Sequence, residues 1–496
     1  VGVYLGLDIG TSKTKAALFD ADGHEHASVS FRTQVISPKP GWQEVDGQQI
    51  WNAVITAVGQ LLHEASIGAD CIAGVGVTAV MLGAWPIDRN GELVRNPILW
   101  NDARTQGLID GFVADDPEFY ERLFATSGCI LQTGCILPVL AWLRKHEPAT
   151  LARTSTILCA KDYIRYRLTN QIGTDASEAT VAPGSATSRG FDADSVSAFG
   201  VDQYTEMLPV VLESTMIGGS ISAAAAAEIG LPSGLPVAVG AGDVVACTIG
   251  AGVHRKEQAL SILGTACLNG VVRSEPDLAP ANLGLTFTMP DNRWLRCMVN
   301  NAGTINMDWA LNALCPDLSC TATPLDACAD LAKQSPPGAN GILYIPYLSE
   351  SGIIAPRIEP KARAGFMGLE PTHGREDLLR AVYEGLAYAI RDCFENLNHT
   401  GPIRLVGGGA RSRFWSQLIA DITGLPVEVP EGSQFGAKGV ALCTMVGTRQ
   451  FDSLESAAEA TYHRDRIHMP NRMHTETYNR AYNAAKTAAE AYLDSL

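Results

Sequence analysis

Residues 3–19, VYLGLDIGTSKTKAALF, are the stretch from which the fold can be read. An apolar run from Val3 to Leu7 ends in a carboxylate, Asp8, and a second apolar run, Ala16 to Phe19, leads away. Two β-type runs around a short polar turn predict a hairpin. The turn suits an anion. Gly10 lets the backbone come close, the hydroxyls of Thr11, Ser12 and Thr14 can donate, and Lys13 or Lys15 adds charge. Asp8 would repel a phosphate, so a functional turn needs a cation or metal-bound water between the two. An ordinary hairpin with a polar turn is the competing reading, and the stretch alone does not choose. It is not a P-loop, because no G-x-x-x-x-G-K-[ST] occurs in it.

The same design returns about half a chain away. Residues 259–263 are strand-like, Gly264-Thr265-Ala266 forms a turn, and residues 268–272 are strand-like again. Two such hairpins predict a duplicated architecture with a cleft between the halves. Just before the second, residues 236–239 form a short apolar strand that meets Gly240-Ala241-Gly242-Asp243 and a helix of small residues ending near Gly250. Asp243 has two readings there, a helix N-cap or a desolvated carboxylate that takes a proton from a hydroxyl. A third junction, Leu405-Val406 followed by Gly407-Gly408-Gly409-Ala410 and a helix, allows a ligand to approach the backbone at a helix N-terminus.

Bulk properties narrow the class. The chain has 496 residues, enough for two or three domains, and 37 basic against 53 acidic side chains give a net charge of −16. That balance argues against non-specific binding to nucleic acid or an anionic membrane, and leaves any phosphate to local donors. No apolar run is long enough to span a bilayer, and the first apolar run carries Asp8 without a basic leader, so it does not read as a signal peptide. Twelve cysteines without a C-x-x-C pair fit reduced thiols in a cytoplasmic protein rather than a zinc site.

Between the hairpins, apolar spacing predicts a helix over 48–65 and a buried strand over 72–78 that runs into Met81-Leu82-Gly83. Trp51 reads as a core residue. Trp100-Asn101-Asp102-Ala103-Arg104 stands at a helix start, where the acid and base two apart either bind hydroxyls or pair with each other. Taken singly, each reads better as structural. Residues 111–170 are mainly helical, and residues 173–177 read as a polar loop. Ser222 and Gly230 bound an alanine-rich helix over 223–229. Later helices are expected over 375–391, over 436–446, where Gly439 and Ala441 permit close packing, and over 475–496.

Taken in order, these pieces resemble the FGGY family of carbohydrate kinases, in the actin–hexokinase–Hsp70 superfamily, over nearly the whole chain. Residues 8–12, DIGTS, resemble its first phosphate motif, and residues 40–46 with Trp51 its N-terminal signature. Residues 100–104, WNDAR, resemble its substrate-side motif, Gly242-Asp243 match the position of its catalytic base, and residues 263–265 its second phosphate motif. Residues 364–369 and 377–384 fit its C-terminal signature, and residues 407–412, GGGARS, its adenosine motif.

The resemblance implies an α/β fold of two ribonuclease-H-like (actin-like ATPase) domains flanking a catalytic cleft with a hinge, over residues 1–245 and 246–496. It implies ATP and Mg²⁺. Asp243 becomes the general base, Asp8 the metal-holding carboxylate, and Thr11, Ser12, Lys13, Gly264 and Thr265 the phosphate cradle. Gly408, Gly409 and Ala410 line the adenosine, and Met81, Leu82, Asp102 and Arg104 face the sugar. Glycerol kinases of the family carry Arg-Glu after the strand over 72–78, and xylulokinases carry Met-His-Gly. Met81 and Gly83 fit the second pattern, with Leu82 in place of a histidine that donates to a sugar hydroxyl. Residues 37–42 and 242–245 resemble members acting on L-xylulose or 3-keto-gulonate. The expected substrate is a pentulose such as xylulose; L-xylulose, 3-keto-gulonate, ribulose, erythritol and glycerol are the alternatives. Dimers are frequent in the family, so a homodimer is expected. A silent sugar sensor fits less well, because nothing would keep Asp8, Asp243 and both Gly-Thr turns together in a pure binder. A chaperone or actin-like protein would lack the WNDAR segment and the C-terminal signature.

Overall fold

The structure is a computed structural model and describes residues 2–496. Strands β1 (Val3–Ile9) and β2 (Lys13–Phe19) form the expected hairpin, with Asp8 opposite Lys15 and Ile9 opposite Thr14. Every residue of β1 is buried, because the sheet is covered on both faces. Leu5, Leu7 and Ile9 point to one face, into a core shared with Ile50, Trp51 and Val54 of helix α1 (Gly47–Ala65). Asp46 caps that helix, accepting from the backbone N–H of Gln48 and Gln49. Trp51 is fully buried and its indole N–H donates to Glu228 at 2.6 Å.

The first sheet is completed by β3 (Glu25–Arg32), β4 (Ile72–Ala79), β5 (Ile217–Ser220) and β6 (Pro236–Ala238), in the order β5-β6-β4-β1-β2-β3. β1 to β3 form an antiparallel meander, and β4 and β6 run parallel to β1. The second sheet contains β7 (Ala259–Leu263), β8 (Cys267–Arg273), β9 (Leu285–Met289), β10 (Arg293–Asn300), β11 (Ile403–Val406), β12 (Val427–Pro430) and β13 (Arg464–His468), in the order β9-β10-β8-β7-β11-β12-β13. There β7, β8 and β10 are antiparallel neighbours, and β11 and β12 run parallel to β7. In each sheet the first strand lies between an antiparallel set on one side (β2 and β3; β8, β10 and β9) and two parallel strands on the other (β4 and β6; β11 and β12), with an antiparallel edge strand beyond those, β5 and β13. This is the ribonuclease-H-like arrangement, present twice.

Two helices of small residues fill the space between the sheets, α2 (Asp243–Gly250) and α3 (Phe435–Gly447). They meet backbone to backbone. A Cβ at Gly439 would stand 1.8 Å from the Ala246 carbonyl oxygen, and one at Gly250 would stand 1.9 Å from that of Phe435. α3 lies equally close on the first sheet, where a Cβ at Gly6 would meet the Ala437 carbonyl oxygen at 2.1 Å. A division between residues 245 and 246 falls inside α2.

Residues 173–177 differ from expectation. In place of a polar loop, Thr174–Asp175 is a short strand and Ala176–Thr180 a helix, with Thr174, Asp175, Ser177 and Glu178 buried. Their polarity suggested solvent. They are buried because Asp175 pairs with Lys161 and Thr174 bonds to Asp162, both of which are buried too. The helix after residues 100–104 begins only at Gln106, so this segment is the turn before it.

Candidate active site

Gly10, Ser12, Lys13 and Lys15 of the first hairpin and Gly264 and Thr265 of the second line one cleft of about 850 Å³. Gly407, Gly408 and Ala410 line it as well, from the end of β11. Gly407 has a φ of 93°, so the chain turns there in a conformation that favours glycine. Gly409 lies beneath the surface, where a Cβ would strike the Leu263 side chain at 2.4 Å. The second turn is tied down from behind, with the N–H of Gly303 donating to Thr265 O at 2.6 Å and that of Thr304 to Gly264 O at 2.7 Å. Thr304 adds its own surface to the cleft.

Thr11 stands apart from its neighbours. Its hydroxyl accepts from the Trp100 indole N–H at 3.0 Å, which ties the phosphate-type turn to the segment over 100–104.

Asp8 is buried at the end of β1, and the Lys15 ammonium donates to its Oδ2 at 3.0 Å. Burial works against the Lys15 charge, but the pairing with Asp8 outweighs it and holds the ammonium above its ordinary range. Lys15 occupies this position because the turn length sets it opposite Asp8, whereas Lys13 is exposed. Among the described residues, no group of three or more histidine, cysteine or acidic side chains is arranged to hold a metal. A lone carboxylate at a phosphate-type turn nonetheless fits Mg²⁺, which binds through one or two carboxylates, keeps several waters and takes oxygens from its phosphate ligand.

Asp243 is the first residue of α2. The N-cap is Gly242, and the Asp243 Oδ1 accepts from the Val244 N–H at 2.8 Å. Burial, with the nearby Asp8 charge, pushes its carboxyl up to about 7. Such a group is poised to exchange a proton near neutrality. Cys247, one turn further on, is held neutral, its thiol pushed up to about 12 by burial and by Asp8 and Asp243.

Met81 lies against this end of α2, and Leu82 follows it. A Cβ at Gly242 would meet the Met81 Cγ at 2.4 Å. Leu82 has a φ of 64°, followed by Gly83 at 80°, and its N–H donates to Glu178 Oε2 at 3.1 Å. The other two residues expected to face sugar are engaged within the protein. Asp102 is fully buried. Its Oδ2 accepts from the Gln43 N–H at 2.6 Å, and its Oδ1 from the backbone and Nε of Arg104, both at 2.8 Å. The Arg104 guanidinium also pairs with Glu44 at 2.7 Å and sits over the rings of Trp42 and Trp142, at 4.0 and 5.1 Å from their centroids. Its Nη1 has no partner among the described residues.

Sequence reasoning named Lys13 over Lys15 and passed over Thr304 and the buried group around Asp175. The hairpin register was the signal available for Lys15. Nothing local marks the others.

Two sequence profiles match the chain: the N-terminal domain of the FGGY family of carbohydrate kinases over residues 3–250, and the C-terminal domain of that family over residues 259–448. The chain is 30% identical over 461 residues to the xylulose kinase of Escherichia coli strain K12, covering 91% of each. It is 28% identical over 487 residues to the L-xylulose/3-keto-L-gulonate kinase of the same strain, covering 97% of this chain and 95% of that protein. The crystal structure of the xylulose kinase from Rhodospirillum rubrum superposes with a TM-score of 0.88 at 26% identity, covering 98% of both chains.

Proposed function

The chain belongs to the FGGY family of carbohydrate kinases and is an ATP-dependent sugar kinase, and from that premise we propose that its acceptor is a pentulose, xylulose being the sugar we name. The naming rests on relatives described as xylulose kinase and L-xylulose/3-keto-L-gulonate kinase. It also rests on the apolar pair Met81-Leu82 where a glycerol-type site would present Arg-Glu.

In this reading Asp243 accepts the proton of the sugar hydroxyl as its oxygen attacks the γ-phosphorus of ATP, and ADP leaves. Phosphoryl transfer of this kind asks for positioning and charge neutralisation rather than a covalent intermediate on the protein. Ser12, Lys13 and Lys15 from one domain, with Gly264, Thr265 and Thr304 from the other, hold the phosphates, and Gly408 and Ala410 line the adenosine, with Gly409 packed beneath them on Leu263. Asp8 would hold Mg²⁺, which would supply charge neutralisation at the phosphates. The Thr11 hydroxyl, held by the Trp100 indole N–H that it accepts from, keeps its own O–H to donate to a phosphate. Asp102 and Arg104 shape the sugar side rather than touch the sugar, since their polar atoms are largely committed to each other, Gln43 and Glu44. The sheets rotate about the packed pair α2 and α3 to close the cleft and keep water from the γ-phosphate.

The observation that carries this reading is the one cleft lined by Gly10 and Ser12 of the first turn, Gly264 and Thr265 of the second, and Gly407 and Gly408. The test is ADP release with Mg·ATP across pentuloses, hexuloses, tetritols and glycerol, with Asp243→Ala as control. Strong turnover with a xylulose, lost in Asp243→Ala, is the expected result. Preferred turnover of glycerol or a hexulose overturns the substrate, and an active Asp243→Ala overturns the base.

A further inference from the structure

The buried helix Ala176–Thr180 lies behind both segments that face the reacting groups. We propose that Ser177 and Glu178 on this helix are positioning residues for the reaction, Ser177 fixing the backbone that presents Asp243 and Glu178 fixing the backbone that presents Leu82. This rests on the reading of Asp243 as the base.

The connections are short, and Glu178 Oε1 is the one carboxyl oxygen of Asp175 and Glu178 with neither a hydrogen bond nor an ion pair among the described residues. The N–H of Gly242, the residue before Asp243, donates to Ser177 Oγ at 2.9 Å. Ser177 Oγ in turn donates to Asp175 Oδ2 at 2.7 Å, which also accepts from the Ser177 N–H at 3.1 Å and the Ser214 hydroxyl at 2.9 Å. Asp175 is anchored by Lys161, whose Nζ lies 3.0 Å from Oδ1, and Lys161 pairs with Asp162 at 2.6 Å. One residue along, Glu178 Oε2 accepts from the Leu82 N–H. Leu82 has the left-handed φ of 64° that non-glycine residues avoid, so an external tie there opposes relaxation.

Stability alone gives little reason for this arrangement. Lys161, Asp162, Asp175, Ser177 and Glu178 all have at most 1% of their surface exposed, with three carboxyl groups facing the Lys161 ammonium and the buried Arg165 guanidinium. Well-packed apolar residues of similar volume are often as stabilising as a buried ionic group. The polar group has another effect, which is directional. Its outward-facing acceptors are spent on the two backbone N–H groups that precede or belong to the base loop and the sugar-side segment. Catalysis is sensitive to this placement, since a displacement of about 1 Å at a reacting group lowers rate by as much as about a hundredfold.

The test uses the intact chain with its preferred sugar and Mg·ATP, and compares Ser177→Ala, Ser177→Thr, Glu178→Ala, Glu178→Gln and Asp243→Asn. Melting temperature and nucleotide affinity are measured on each. Ser177→Ala is expected to lower kcat about tenfold or more with sugar and ATP KM within about twofold, and Ser177→Thr, which keeps the hydroxyl, to recover most of it. Glu178→Ala is expected to raise the sugar KM about fivefold or more, with recovery in Glu178→Gln, whose amide oxygen still accepts. Ser177→Cys carries the same kcat prediction if the alanine variant does not fold. Wild-type kcat in a folded Ser177→Ala, with Asp243→Asn inactive, overturns the positioning role and leaves the base in place. An active Asp243→Asn overturns the base itself. Equal losses in kcat, both KM values and melting temperature, without rescue, reduce both residues to structural ones.

Discussion

The Lys15 ammonium lies 3.0 Å from Asp8 Oδ2, between the end of β1 and the cleft that receives the phosphates. Lys15 is thus the neutralising partner of a carboxylate that also bears on Asp243. Replacing it with methionine removes a positive charge from beside Asp8 and from the lining of the phosphate cleft. We expect Lys15→Met to lower kcat with the preferred sugar about a hundredfold, by analogy with loss of a preorganised charge stabiliser. Lys13→Met, at an exposed position, should cost much less. Steady-state kinetics on the two variants check the ranking, and equal losses refute it.

Burial and Asp8 both disfavour the Asp243 charge and push its carboxyl up to about 7. A base works only when ionised, so kcat/KM should fall as pH drops through about 7. Lys15 favours ionisation, so Lys15→Met should move this limb to higher pH. The stability sign runs opposite to that of a salt-bridged carboxylate. A folded-state pKa raised above the unfolded one means the folded state binds more protons between the two, so stability falls as pH rises from about 4 to about 7. Asp243→Asn should therefore be inactive yet raise the melting temperature at pH 8, with the gain shrinking toward pH 4. An unchanged melting temperature at pH 8 would remove the desolvation argument.

The two hairpins, the body of α1 and the small-residue helices could be read from the sequence, because each is set by local periodicity and turn chemistry, while the Asp46 cap of α1 appeared only in the structure. Asp8 and Asp243 were visible as carboxylates placed against apolar strands. What escaped was set by long-range pairing. Asp175 looks like a loop residue until Lys161 is brought beneath it, and Arg104 looks available until Glu44 and two tryptophans enclose it. The opposition of Lys15 to Asp8 needed only the hairpin register, which the turn length fixes.

The contact between α2 and α3 depends on glycine for space rather than for backbone freedom. A methyl at Gly439 would lie 1.8 Å from the Ala246 carbonyl oxygen, a backbone atom that cannot move without its helix. Gly439→Ala should destabilise the chain by about 1–3 kcal/mol, the usual range for overpacking, and lower activity beyond what the unfolded fraction explains if these helices carry closure. Chemical denaturation and kinetics on the same preparation separate the two effects. A fully stable, active Gly439→Ala would exclude the close packing.

Arg104 tests whether the WNDAR segment touches sugar or frames its pocket. Its guanidinium bonds to Asp102 and Glu44 and sits over Trp42 and Trp142. Lysine keeps the charge but loses the planar fork and the stacking, so Arg104→Lys should lower the melting temperature clearly. Sugar KM, measured below that temperature, should stay within about twofold of wild type, as expected where no transition-state or ground-state contact is lost. A selective rise in sugar KM without loss of stability would place Arg104 in contact with the sugar.

Leu82 offers the sharpest test of the acceptor. Its φ of 64° belongs to a region where histidine is found several times more often than ordinary residues, so Leu82→His meets no new backbone conflict there. The backbone tie to Glu178 uses only the Leu82 N–H and survives the change. The substitution adds a ring nitrogen that can donate to a hydroxyl, at a position that now offers only methyl groups. If this side chain lines the sugar pocket, the kcat/KM for D-xylulose should rise relative to L-xylulose. One well-made hydrogen bond of about 1 kcal/mol corresponds to a ratio change of about fivefold. Measuring both sugars on wild type and Leu82→His at one ATP concentration gives the ratio directly. An unchanged ratio in a folded, active variant would place the Leu82 side chain off the sugar and shift discrimination to the backbone groups that Glu178 and Ser177 hold in place.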